Sequence, residues 1–218
     1  MCQEVFKIVQ EMDKKHIETK LALQCAPLIT GIKISNLLII SSEDEENVRT
    51  ILKRTGISHY RLLRQHNKTT YLLFQRSKLS AYLQDSKVKV MLSKNGYETD
   101  SLGMIMHRFQ KRYETYMSKG EQFPHEMGLL LGYPIEDVVG FMKHNGKNYL
   151  YSGYWKVYRD VSKKKALFKQ YEDAVDDVIR LLDKGIGIRL IIEAYRSDAG
   201  KHNNYQETIY AKQEEFLK

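Results

Sequence analysis

The sequence predicts an α/β or α+β fold in which helices pack on a small mixed sheet of four to five strands. Three observations predict it. Apolar residues recur at helical spacing along most of the chain, as in Leu102, Ile105, Met106 and Phe109. Short β-branched or aromatic runs interrupt them at 36–40, 60–65, 69–76 and 149–158. His66-Asn67-Lys68 joins two of these runs as a hairpin turn, and a hairpin excludes an all-parallel sheet.

The elements follow in order. Val5, Ile8, Val9 and Met12, continued by Ile17, Leu21 and Ala22, predict one helix over 3–25. Pro27 should end it, because proline removes a backbone donor and crowds the preceding turn, leaving 26–35 as a loop with Gly31 at a turn. After the strand at 36–40, Ser41 or Ser42 caps a helix with Glu43 to Glu46 in its first turn, stopping at Gly56. A helical pattern runs from Lys78 to Asn95-Gly96, and Ser101 starts another that ends near Lys119-Gly120. Pro124 suits the first turn of a helix carrying Met127, Leu130 and Leu131; Gly132-Tyr133 breaks it and Pro134 begins the next. Residues 149–158 read as a strand bent at Gly153, followed by a long helix over 160–182. The β-branched run at 188–195 suggests a strand. The tail beyond about 200 is polar, and its packing is expected to be loose. No internal repeat stands out.

A chain of 218 residues, 42% apolar and 28% charged, can bury a core as a single globular domain without staples. Two cysteines, Cys2 and Cys25, exclude a disulfide framework, and seven histidines without an i,i+4 pair predict no metal site. The N-terminus lacks a leader pattern and the apolar runs are too short to span a bilayer, so a cytoplasmic protein without a membrane partner is expected. The net charge of +8 is diffuse; the densest cluster, Lys163 to Lys165 flanked by Arg159 and Lys169, reads as a solvated helix start. Without an RNP, zinc-finger or helix-turn-helix signature, nucleic acid is not the expected partner.

Three stretches carry a family resemblance: FPHEMGLLLGYPIEDVVGFM (123–142), GYWKVY (153–158) and CAPLITGIKISNL (25–37). Together they resemble the DUF3793 family of bacterial proteins, frequent in anaerobic Firmicutes. The resemblance covers nearly the whole chain and implies one domain in a cytoplasmic setting. It implies no activity and no catalytic residues, because the family is named for having no assigned function.

Few residues suggest chemistry. Cys25, His125 and a carboxylate such as Glu126 or Asp137 are the minimum set for a cysteine nucleophile. Against this, Cys25 falls near a helix C-terminus, where the dipole disfavours a thiolate, so a buried structural thiol is the better reading. His125 and Glu126 sit in a helix's first turn, suiting either local structure or general acid/base work. Leu129 stands four residues after His125, which excludes a zincin motif. Gly128, Gly132 and Gly140 are read as helix packing and breaking, since GLLLGYP lacks the features of a phosphate loop.

Tyr151, Tyr154, Trp155 and Lys156 form an aromatic and basic surface around 149–159. They suit a flat anionic ligand such as a flavin, nucleotide or porphyrin, or equally a core and interaction surface. Three functions therefore stand at this level: a ligand- or partner-binding protein, with a redox protein among the partners considered; an enzyme centred on His125, Glu126 and Cys25; and an oligomerisation module that meets its own copies. The residues themselves do not name a cofactor.

Overall fold

The computed structural model describes residues 1–99 and 101–197. The expected loose tail beyond about 200 lies outside them. Helices α1 (Gln3–Glu11) and α2 (Ile17–Ile29) lead into β1 (Ser35–Ser41), and a short 3-10 turn precedes α3 (Glu45–Leu52). A hairpin of β2 (Ile57–Gln65) and β3 (Lys68–Gln75) follows. Then come α4 (Arg76–Leu83), α5 (Ser86–Lys94), α6 (Leu102–Lys119), α7 (Met127–Leu130) and α8 (Ile135–Lys143). A two-residue ribbon, β4 (Tyr151–Ser152) and β5 (Lys156–Val157), precedes α9 (Val161–Asp183) and α10 (Ile188–Ser197).

The main sheet is antiparallel and three-stranded, in the order β1-β3-β2, rather than the four to five strands expected. The aromatic run at 149–158 forms its own ribbon instead of joining it. β3 is central, and its residues from Thr69 to Phe74 are all buried, because helices cover both of its faces. Tyr71 and Leu73 enter one core with α1, α2, α9 and α10. Leu72 and Phe74, projecting the other way, enter a second core with α4 to α8. A smaller aromatic cluster of Trp155, Val157, Phe168 and Tyr171 fixes the ribbon to α9.

The hairpin turn works because His66 and Asn67 both adopt positive φ, 49° and 56°, the geometry whose twist matches the flanking strands. At the opposite edge, the Gln24 side chain pairs with Ile39 like a strand: Oε1 accepts from its N–H at 2.9 Å and Nε2 donates to its carbonyl at 3.1 Å. This pairing closes part of β1 to other chains.

Several expectations are corrected. The helix over 3–25 is two helices, because Asp13 accepts a hydrogen bond from the Lys15 N–H and stabilises a turn there. Pro27 does not end α2. It lies in the last turn, so one lost hydrogen bond is offset by burial of Ala26, Leu28 and Ile29, and Asn36 Nδ2 donates to the nearby Gln24 carbonyl. Neither Ser41 nor Ser42 caps its helix; the Ser42 hydroxyl lies 3.0 Å from that of Thr69 instead. The run at 78–95 is split by Asp85, which caps α5 through the Lys87 and Val88 N–H groups. Finally, 188–195 is helical. Ile188, Ile191 and Ile192 fall on one buried stripe, and packing outweighs their β preference.

Candidate functional site

Residues 123–142 form the two short helices the sequence implies, and glycines let them meet. A Cβ at Gly128 would lie 2.8 Å from Val138 Cγ2, so only glycine allows α7 and α8 to approach this closely. At Gly132 the chain turns with φ +70°, and a Cβ would press on Ile34. The ribbon then folds against α8. Residues 149–158 do not run straight through a bend at Gly153; the chain reverses there, pairing Tyr151 with Val157 and Ser152 with Lys156. Gly153 is needed at the tip because a side chain would collide with Phe168.

Asp137 fixes this arrangement. It is 2% exposed; Oδ2 accepts from Trp155 Nε1 at 2.8 Å and Oδ1 accepts from the Tyr158 N–H at 2.8 Å. Lys164 approaches Asp137 to 3.8 Å and bonds Glu136 at 2.8 Å. Lys164 is 7% exposed, so the middle of the lysine cluster is a buried ion-pair partner rather than part of a solvated face. Lys165 covers the Tyr151 ring at 4.7 Å. Trp155 stacks on Tyr133 at 4.6 Å and meets the edge of Phe168 at 4.5 Å.

Between α7, α8 and the ribbon lies a cavity of about 390 Å³. Phe123, His125, Met127, Tyr133, Phe141 and Trp155 are among its walls, and Tyr154 and Lys156 also line it. His125 faces it with its ring 5.6 Å from Phe123 and 5.2 Å from Phe141. Lys156 Nζ donates to the Gly146 carbonyl at 2.7 Å and lies 5.0 Å from the Tyr149 ring centre and 5.7 Å from that of Phe141. Five of the residues singled out for chemistry thus converge here: His125, Asp137, Tyr154, Trp155 and Lys156. Tyr151 does not line the cavity; its ring stacks on Phe168 at 6.2 Å.

Glu126 and Cys25 are elsewhere. Glu126 is 1% exposed and points away from the cavity, accepting from Arg112 Nε at 2.5 Å and from the Tyr97 hydroxyl at 2.7 Å. Those partners occupy it in holding α6 to the 123–126 turn. Cys25 is fully buried between α2 and the sheet, with its sulfur 3.6 Å from the Leu37 carbonyl and 3.7 Å from Asn36 Nδ2. Burial pushes its thiol up to about 12, so the sulfur is protonated at neutral pH. His125 and Cys25 belong to different layers and are not brought together.

Two residues at the site escaped notice in the sequence. Tyr133 was legible only as part of a helix break, and Lys33 as part of a loop. Lys33 is 7% exposed, donates to Asn36 Oδ1 at 2.6 Å and lies 5.3 Å from the Tyr133 ring centre, behind the wall that Tyr133 and Trp155 make. Burial lowers its pKa to about 8. No sequence signal marks either, because both roles depend on which helices meet.

A larger cleft of about 1090 Å³ runs beside α9 and α10. Its charges are mixed, Arg76, Lys78 and Arg196 against Asp173 and Asp177, and no aromatic walls converge as they do near Trp155. Among the described residues, no group of three or more His, Cys, Asp and Glu could hold a metal ion, and no helix is long and apolar enough to cross a membrane.

The family model described as protein of unknown function (DUF3793) matches residues 21–192. This chain belongs to the DUF3793 family. The matched span includes the whole sheet, both glycine-dependent helices and the ribbon of this DUF3793 protein, so every wall of the cavity lies inside it. No curated protein and no solved structure matches the chain.

Proposed function

We propose that this DUF3793 protein is a binding protein whose cavity between His125 and Trp155 takes a flat, anionic aromatic ligand. The observation that carries the reading is the convergence of Phe123, Tyr133, Phe141 and Trp155 on one cavity with Lys156 beside it. Ligand sites are mostly apolar concavities of roughly 300–1,000 Å³ with a few placed polar groups. At about 390 Å³ this one is at the small end, which favours a mono- or bicyclic ring system over a porphyrin. The aromatic faces would stack on the ligand, while His125 and Lys156 would meet its anionic group. An enzymatic role is the weaker reading, because Glu126 and Cys25 are engaged elsewhere and Asp137, the other candidate carboxylate, lines the cavity with both oxygens already bonded to Trp155 and the Tyr158 N–H. The sequence pattern of two free cysteines supports a cytoplasmic setting.

Trp155 is the single tryptophan of the chain and lines the cavity, so its fluorescence reports directly on occupancy. We expect saturable quenching or a shift of Trp155 emission by a member of a panel of flavin mononucleotide, nucleotides and aromatic carboxylates. Lys156→Gln should weaken that binding about tenfold, the loss of one charge-assisted contact. Unchanged emission across the whole panel would rule the reading out.

A further inference from the structure

The β2 edge carries an arrangement unrelated to the cavity. Arg61 pairs with Tyr71 and Leu63 with Thr70, so Leu62 is an extra residue, a bulge in β2. In a regular strand, residues 61 and 64 would project to opposite faces. The bulge cancels this alternation. His59, Arg61 and Arg64 oppose Leu73, Tyr71 and Thr69, alternate residues of β3, and therefore share one face. Leu62 turns to the other face and is fully buried in the second core.

Arg49 reaches the same place from α3, and Glu45 is the centre. Glu45 is already well bonded: Oε1 accepts from the Thr69 hydroxyl at 2.6 Å and Oε2 from that of Tyr71 at 3.1 Å. The guanidinium groups stand further off, with side chains 48–60% exposed: Arg61 Nη1 donates one long hydrogen bond to Oε2 at 3.5 Å, and Arg64 and Arg49 approach to 3.5 and 3.8 Å. Glu45 thus gathers three permanent cations while accepting only one long hydrogen bond from them among the described residues. Among the described residues, the only other carboxylate bridged to them is the 78% exposed Glu46, 3.4 Å from Arg49. His59 stands in the same row with its ring edge-on to Tyr71 at 5.5 Å. Burial and the Arg49 charge lower its pKa, which leaves the arginines to set the charge of this face at neutral pH.

We propose that Arg49, Arg61 and Arg64 form a binding site for a phosphate dianion, free or carried as a phosphate monoester. Guanidinium forks match the spacing of phosphate oxygens, and three of them on one face leave it net positive against the two carboxylates, Glu45 and Glu46, that they bridge. A nucleic-acid backbone would need a track of such contacts. The nearest dense alternative in sequence, Lys163 to Lys165, has Lys164 buried and Lys165 laid over Tyr151.

The test is calorimetric titration of the full chain with inorganic phosphate at constant ionic strength. The expected result is saturable binding that Arg61→Gln with Arg64→Gln weakens about tenfold or more, the loss of at least one charge-assisted bond. A control pair, Lys7→Gln with Lys87→Gln, removes the same charge from exposed positions elsewhere and should change affinity less than about twofold. Thermal unfolding establishes that each variant is folded. Phosphoserine binding more tightly than phosphate would identify a monoester as the ligand, and equal affinity would identify free phosphate; both support the site. No saturable binding, an equal loss in the control pair, or full binding by the folded arginine variant would each overturn it. The result is independent of Trp155 emission, so this site and the cavity stand or fall separately.

Discussion

Two buried carboxylates organise two different regions of this protein. Asp137 holds the ribbon to α8 by tight bonds to Trp155 and the Tyr158 backbone, with Lys164 at 3.8 Å as its ion-pair partner among the described residues. The result is a concave, aromatic wall. Glu45 is satisfied by two hydroxyls and surrounded at longer range by three exposed guanidinium groups. The result is an exposed, cationic face. The same chemical device, a carboxylate held chiefly by neutral donors, thus positions an apolar surface in one place and collects charge in the other. What differs is whether the cation nearby is buried with the carboxylate or left in water.

The comparison breaks most severely at Asp137. Asp137→Ala leaves the Trp155 Nε1–H and the Tyr158 N–H without acceptors, and should cost about 2–4 kcal/mol in urea unfolding, with loss of the near-ultraviolet circular dichroism of Trp155. An unchanged spectrum would mean that aromatic stacking alone holds the ribbon.

Gly128→Ala should cost about 1–3 kcal/mol, because the new methyl meets Val138 and Tyr133 and forces α7 from α8. If the cavity is the binding site, this variant also loses ligand-induced quenching of Trp155.

Lys33 sharpens the contrast from the other side, as a cation buried behind the aromatic wall with no carboxylate in ion-pair reach among the described residues. Its folded pKa of about 8 is below the ordinary value of 10.5, so between these values the unfolded chain binds more protons than the folded one. Stability therefore rises with pH across that window. Lys33→Met should remove this rise and raise stability at pH 7 by about 1–2 kcal/mol, read from urea midpoints.

The smallest effect belongs to Glu45. Its folded pKa is held below the ordinary 4.5, first by the Thr69 hydroxyl, with Tyr71 and the arginines adding to it against burial. Its ionised form stabilises the fold above that ordinary value, and the contribution disappears as pH falls through the lower folded value. Glu45→Gln should flatten the acid side of the stability profile as pH falls below the ordinary carboxylate value of 4.5. A parallel profile would show that the arginine face is not organised by this carboxylate.

The legibility of these features followed their range along the chain. The helix from Ser101 to Gly120 was readable because its signals are local: Ser101 accepts from the Met104 N–H at 3.1 Å, and Gly120 takes the left-handed conformation. The hairpin at His66-Asn67 was readable for the same reason. The ribbon was not, because Gly153 marks only a bend, whereas its reversal depends on Phe168 in a later helix. Residues 188–195 misled because three isoleucines satisfy both a strand and a helical stripe, and only the core they join decides between them. At the site, His125, Trp155 and Lys156 were visible as chemistry-bearing types. That Glu126 faces Arg112 and that Cys25 lies beneath the sheet were not visible, since both depend on contacts between elements.

The sequence by itself determined the helix-rich mixed class, the membership signalled by 123–142 and the presence of an aromatic, basic stretch at 149–159. Tertiary structure decided what those residues do. It turned the 123–142 segment into two walls of a cavity, engaged Glu126 and Asp137 as structural carboxylates, and used one inserted residue in β2 to put Arg61 and Arg64 on the same face. The physical reason is that backbone preference is fixed by neighbours along the chain, whereas a side chain's partner, burial and charge state are fixed by whatever element packs against it.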